Sequence, residues 1–194
     1  MNPQLQQGNN WKTVSSRMVY QDRFVRFLAD DVIRPDGKKG VYTILETNPA
    51  VAIIAMTADK RIILTKEWRY PHATWVWGVP TGLINDGETP IASAQRELQE
   101  EACTTSKKWT NLGSFGPACA RMSTIIHVLL AQDATVEPFK PQVDEVWERK
   151  LVPLSTALRM CNLGKVLSGV SQVSIYKAWH YIKGKKNWIH SLKK

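Results

Sequence analysis

Three carboxylates at helical spacing are the first residues in this chain that could do chemistry. Glu97, Glu100 and Glu101 stand at i, i+3 and i+4, so on a helix they share one face. Like charges so placed repel one another, and a divalent cation would relieve the repulsion. Hard carboxylate oxygens suit Mg²⁺, with Mn²⁺ as a substitute. Mg²⁺ keeps several waters and accepts substrate phosphates, which suits hydrolysis of a phosphoanhydride. Taken alone, the same residues read more simply as a solvated acidic helix face with Arg96 as a local partner.

The residues ahead of them change that weighting. Gly82-Leu-Ile-Asn-Asp-Gly-Glu88 leads directly into the acidic segment, and the spacing is G-x5-E-x7-R-E-L-x-E-E, ending at Glu101. This pattern resembles the signature of the Nudix hydrolase family. The resemblance implies an α+β fold, an α/β/α sandwich with a mixed central sheet between helices. It also implies that Glu97 and Glu101 are the main metal ligands, with Glu100 assisting both binding and catalysis. The carbonyl of Thr81 would face a metal. Glu88 and Arg96 would pair to hold the loop against the helix, giving Arg96 a part in catalysis and Gly82, Glu88 and Arg96 a structural one. Glycines at 82 and 87 fit a backbone that turns sharply close to ions and phosphates. The family pattern continues with a glycine where this chain has Cys103. That glycine usually ends the helix, so an altered helix exit is expected here.

These residues need elements to position them. From Pro90 to Cys103 apolar residues Ile91, Ala94, Leu98 and Ala102 recur every three or four positions, which predicts a helix. Thr89 is a fitting N-cap and Pro90 a fitting first residue. Upstream, Thr13 to Tyr20, Phe24 to Ile33 and Gly40 to Glu46 read as strands, with Arg34-Pro-Asp-Gly37 as a turn. Val51 to Met56 and Arg61 to Trp68 read as a hairpin about the turn Ala58-Asp-Lys60. Tyr70 to Trp77 reads as an aromatic loop. Strands near Trp109 to Phe115, Ser123 to Ala131 and Val146 to Leu151 follow. Pro153 to Asn162 and Ser168 to Ile182 read as closing helices. The division is therefore a disordered 1–10, an antiparallel β segment 11–46, a catalytic domain 47–183 and a basic tail 184–194.

The resemblance runs from about Trp11 to Ile182. Arg61-IILTKEWRYP-His72 and Trp77-GVPT-Gly82 resemble the ADP-ribose pyrophosphatases and nucleoside diphosphate sugar hydrolases of the family. That branch implies Arg69 as a diphosphate contact, a role a guanidinium fork suits. It implies Glu145 as general base, with Asp144 and Glu148 as competitors for the role. After Pro117 the branch commonly shows an acid before the next strand; here Pro117-ACARMS-Thr124 has Arg121 instead, and Arg121 joins the expected substrate contacts. Trp77 is the aromatic expected to meet the substrate, while His127, inside an apolar strand, reads as structural. A homodimer is expected, with the β segment as its element. The alternatives are a family member acting on a dinucleoside polyphosphate or capped RNA, and a non-catalytic nucleotide sensor. The intact carboxylates argue against the sensor.

Composition sets outer bounds. Hydrophobic residues make up 43% and charged residues 22% of 194, as in ordinary globular chains. No apolar run approaches the ~20 residues that span a bilayer, so no membrane partner is expected. Met1 to Asn10 lacks the apolar stretch of a secretory signal, and a cytoplasmic address is expected. Three widely spaced cysteines, Cys103, Cys119 and Cys161, offer no zinc pair. The net charge is +9, but Lys183, Lys185, Lys186, Lys193 and Lys194 cluster at the end. With no basic stripe elsewhere, a nucleic-acid partner is not expected.

Overall fold

A computed structural model describes residues 10–140 and 146–191, with side chains described as far as Gly184. Most of the expected disordered N-terminus lies outside these residues, as do Asp144 and Glu145. The chain divides into two units, Met1–Asn48 with Ala118–Thr124, and Pro49–Pro117 with Ile125–Lys194.

In the first unit, β1 (Lys12–Gln21), β2 (Val25–Ile33) and β3 (Lys39–Thr47) form an antiparallel meander in that order. The first turn is tied by Asp22, whose Oδ1 accepts the N–H groups of Phe24 and Val25 at 2.7 and 2.9 Å. The second turn is the expected one: Gly37 takes φ +79° and its N–H reaches the Arg34 carbonyl at 2.9 Å. Segment 118–124 runs back alongside β3, with Leu45 bridged to Met122. Strand β1 is an edge, exposed along its whole length.

In the second unit, β4 (Ala50–Ala55) is the central element. It is followed by β5 (Arg61–Arg69), a 3₁₀ turn at Tyr70–His72, β6 (Thr74–Gly78), β7 (Thr81–Leu83) and α1 (Pro90–Ala102). Then come β8 (Thr104–Thr105), β9 (Lys108–Phe115), β10 (Ile126–Gln132), β11 (Thr135–Val136), β12 (Val146–Pro153), α2 (Leu154–Asn162) and α3 (Gly169–Ser191). One mixed sheet has the order β7-β4-β10-β9, with β4 and β10 parallel. A second, antiparallel sheet has the order β12-β5-β6; β8 and β11 pair with each other.

The expected hairpin is not made. The chain does reverse at Thr57–Arg61, but only Met56 and Ile62 pair across the turn. Strands β4 and β5 then join different sheets, because each is buried on both faces and needs other neighbours. Along β4, Val51, Ile53 and Ala55 pack with Ala94, Leu98 and Ala102 of α1. Ala52, Ile54 and Met56 pack with Ala157 and Cys161 of α2 and Ile175 and Ala178 of α3. This period-two division places helices on both sides of a mixed sheet, as expected. The same parity runs into β5: Ile63 faces α1, whereas Ile62 and Leu64 face the other helices. The aromatic loop proves half structured, since Thr74–Gly78 is strand β6. Helix α3 continues past Ile182 through much of the basic tail.

Candidate active site

Helix α1 starts as its sequence requires. Thr89 is extended, its hydroxyl oxygen accepts the Ala92 N–H at 3.2 Å, and Pro90 opens the first turn. Its apolar stripe is anchored by Leu98, fully buried, a contribution of about 1.5–3 kcal/mol. The helix is thereby fixed in rotation, and Glu97 and Glu101 flank the stripe.

Arg96 ties the loop to the helix. Its Nε and one terminal nitrogen donate to both carboxylate oxygens of Glu88, at 2.9 and 3.0 Å. The same terminal nitrogen reaches the Leu83 carbonyl at 3.1 Å and the Ser93 hydroxyl at 3.2 Å. The other reaches Glu97 at 2.6 Å and Glu100 at 3.2 Å. Glu88 also accepts the Asn85 N–H at 3.0 Å. The Arg96 guanidinium, followed by that N–H, holds the Glu88 carboxyl down at about 2. A bidentate fork of this kind is a pairing only arginine makes.

Gly82 is required for space rather than for a sharp turn. A Cβ there would meet the Glu97 Cδ and Oε1 at 1.9 Å; the carboxylate lies across the glycine. Gly87 is the one that turns, at φ +81° with open space around it.

The acids near this platform are short of compensation. Glu97 is 9% exposed, and burial raises its carboxyl pKa against the pull of Arg96. Glu101 is crowded by protein, and burial pushes its carboxyl well above the ordinary range, with the charge of Glu67 adding to the effect. The Thr81 N–H, 3.1 Å from its Oε2, and the charge of Arg69 act the other way. Enclosed or part-enclosed, mutually repelling carboxylates are the donor set a hard divalent cation satisfies, with waters and phosphates completing its shell. The residues present therefore fit such an ion, although among the described residues no three acidic, His or Cys side chains stand gathered as a ready cage.

Glu67 escaped the sequence reading. It is 4% exposed, in phase with Ile63 on the α1 face of β5. Its Oε1 accepts the Thr65 hydroxyl at 2.8 Å, and its Oε2 pairs with Arg69. An acid in phase with the core residues of an apolar strand was the available signal. Val146, immediately after the segment holding Asp144 and Glu145, is the register partner of Glu67.

Other expected residues have partners of their own. Trp77 is on the opposite face of the β12-β5-β6 sheet, against the α2–α3 core, with the Lys150 and Lys66 ammonium groups 4.9 and 5.9 Å from its ring. Glu148 pairs with Lys66 at 3.7 Å on that face. Arg121 belongs to the other unit, its guanidinium 4.7 Å from the Tyr42 ring.

The exit of α1 is not altered by Cys103. That residue adopts the left-handed conformation, φ +45°, that a glycine would take. Its buried Sγ accepts the Lys140 N–H at 3.1 Å, and its carbonyl accepts the Glu137 N–H at 3.0 Å. Arg149 donates to the carbonyls of Ala102 and Cys103. These bonds offset the conformational cost, about 1 kcal/mol.

Known proteins resemble this chain in sequence and in fold. A NUDIX domain model matches residues 46–166, and a model of the nucleoside diphosphate sugar hydrolase N-terminal domain matches 11–45. The chain is similar to an ADP-ribose pyrophosphatase of Bacillus subtilis (strain 168), 32% identical over 69% of this chain and 72% of that protein. It is similar to an ADP compounds hydrolase of Escherichia coli (strain K12), 27% identical over 71% and 74% of the two chains. A crystal structure of an ADP compounds hydrolase superposes with TM-score 0.80 at 22% identity, covering 90% of this chain and 95% of that one. That last likeness concerns the fold.

Proposed function

The chain belongs to the Nudix hydrolase family, as a pyrophosphohydrolase, and from that premise we propose that it cleaves the diphosphate bond of ADP-ribose or another nucleoside diphosphate sugar with Mg²⁺. The products are a nucleoside monophosphate and a sugar phosphate. The observation that carries the reading is the pair of acids, buried Glu97 and part-buried Glu101, on a helix clamped to the 82–88 loop by Arg96. The names of the curated relatives support the substrate class.

In this mechanism Glu97 and Glu101, with Glu100 and the Thr81 carbonyl, would hold the cation. When bound, it supplies positive charge to the diphosphate and acidity to a nearby water. The protein's own groups do the rest. Arg96 and Glu88 fix the loop, so that the Thr81 carbonyl and the helix acids keep their spacing without reorganisation. Arg69, ending β5 with a half-exposed guanidinium, contacts the diphosphate and offsets its charge. Glu145 takes the proton of the attacking water. The water oxygen bonds to one phosphorus, the bridging P–O bond breaks, and the leaving phosphate retains the bridging oxygen.

A homodimer is part of the proposal. Among the described residues the three-stranded unit ends in β1 as an edge strand and exposes Tyr20, Phe27 and Val41 on one face, a surface that a second copy would cover. Among the described residues no helix is long and apolar enough to cross a membrane, and a cytoplasmic location is proposed.

Formation of nucleoside monophosphate and sugar phosphate from a panel of nucleoside diphosphate sugars with Mg²⁺, using Glu101→Gln as the control, tests the activity. Turnover by the native chain and its loss in the variant are expected. Equal inactivity of both, with nucleotide binding retained, would replace catalysis by sensing.

A further inference from the structure

Glu67 is a carboxylate that the box chemistry does not use. It is almost fully enclosed, and an enclosed charge is costly without compensation. Its partners include Arg69, two residues along the same face of β5, and the Thr65 hydroxyl. The two partners differ in setting: the Glu67 side chain is 5% exposed and that of Arg69 42%. One end of the guanidinium thus rests on a fixed buried acid while the rest reaches solvent. The pair also borders the cation cluster. β5 and α1 share the core around Ile63 and Leu98, and both Glu67 and Arg69 lie near enough to act on the Glu101 carboxyl, in opposite senses.

We propose that Glu67 is a positioning residue that couples the two halves of the site: it holds Arg69 while the carboxylate cluster lacks a cation, and a bound cation frees Arg69 for the diphosphate. The reasoning is charge balance. Without a cation, the guanidinium is a positive charge facing Glu67 and Glu101, and turning to a diphosphate would take an ion-pair partner from the buried acid. With a cation at Glu97 and Glu101, Arg69 is repelled by that charge and no longer needed by Glu67. Diphosphate binding is then strengthened twice, by the ion and by the released arginine. By linkage, Arg69 in turn opposes cation binding. This inference rests on the assignment of the carboxylates to a cation and of Arg69 to the diphosphate.

The experiment reads binding alone. Methylenediphosphonate, which cannot be hydrolysed at its bridge, is titrated calorimetrically without metal into the native chain, Glu67→Gln, Arg69→Ala and the double variant. Mn²⁺ is titrated separately, without diphosphonate, by electron paramagnetic resonance. Glu67→Gln should bind the diphosphonate about tenfold more tightly than the native chain, a coupling of ordinary size. The gain should vanish in the Arg69→Ala background. Mn²⁺ should bind several-fold more weakly to Glu67→Gln and several-fold more tightly to Arg69→Ala. An equal gain with or without Arg69 would reduce Glu67 to a distant charge and overturn the coupling, as would no gain at all. Should Glu67→Gln not fold, the Mn²⁺ affinity of Arg69→Ala, checked for a native circular dichroism spectrum, decides the matter; unchanged or weaker binding refutes the proposal. Hydrolysis is not read, so a chain that shows the coupling but cleaves no nucleotide sugar fails the functional proposal and keeps this one.

Discussion

Adding a single methyl group at Gly82 should disable the site while leaving the fold standing. The Cβ of Gly82→Ala would lie 1.9 Å from Cδ and Oε1 of Glu97, and 2.4 Å from Oε2, where ordinary contact begins at 3.4 Å. About 1.5 Å must be found, and the options are few. Strand β7 is held by β4 through Val51–Gly82 and Ala52–Thr81, and Thr81 is further tied to Glu101. The Glu97 carboxylate is the softer partner, so it swings away and its 2.6 Å bond to Arg96 breaks. Overpacking of this kind costs about 1–3 kcal/mol of stability. A misplacement near 1 Å costs about a hundredfold in rate, or roughly 2.7 kcal/mol of activation free energy. The assay is kcat/KM on ADP-ribose at saturating Mg²⁺, beside urea unfolding. Gly87→Ala is the matched control: it strains a φ of +81° but meets nothing within 4 Å, so it should cost about 1 kcal/mol of stability and little activity. Native kcat/KM in Gly82→Ala would refute the reasoning that the glycine exists to seat Glu97.

Other outcomes follow from the same geometry. Arg96→Lys keeps the charge but loses the fork to Glu88, and kcat/KM should fall at least about tenfold, with native far-ultraviolet circular dichroism. Glu88 has its folded pKa lowered from the ordinary 4.5 to about 2, so the Arg96 pairing favours the fold fully above 4.5 and is lost as pH falls towards 2. Urea midpoints across that window should fall more steeply for the native chain than for Glu88→Gln. At Cys103, glycine should be tolerated, while Cys103→Val, branched at φ +45°, should cost about 2 kcal/mol, read as a lowered unfolding midpoint.

Much of the loop–helix platform was legible because its determinants are local. Thr89, Pro90 and the stripe ending at Ala102 specify α1 by contacts within a few residues, and the Glu88–Arg96 pair spans eight positions. Partnership between distant strands was not legible in the same way. The apolar runs at Val51–Met56 and Arg61–Trp68 announce burial on both faces but do not name neighbours, and β4 finds its parallel partner only at Ile126–Ala131. The turn between them suggested a hairpin that each strand's need for two neighbours prevented. Trp75 and Trp77 are good strand formers, but the surrounding Pro, His and Ala obscured β6. Cys103 shows the opposite error: a changed residue suggested a changed backbone, whereas side-chain and carbonyl bonds from Lys140 and Arg149 keep the old one.

The parity of β5 has a consequence for how this protein can change. Its odd positions, Ile63, Thr65, Glu67 and Arg69, share the face turned to α1, and its even positions, Ile62, Leu64, Lys66 and Trp68, share the opposite face. Point substitutions leave that division intact. The gain or loss of one residue before Glu67 would exchange the two sets at a stroke, putting lysine and tryptophan where the enclosed acid now sits. A single-residue change of length in this strand therefore disturbs both of its faces together, whereas a replacement disturbs one position on one face.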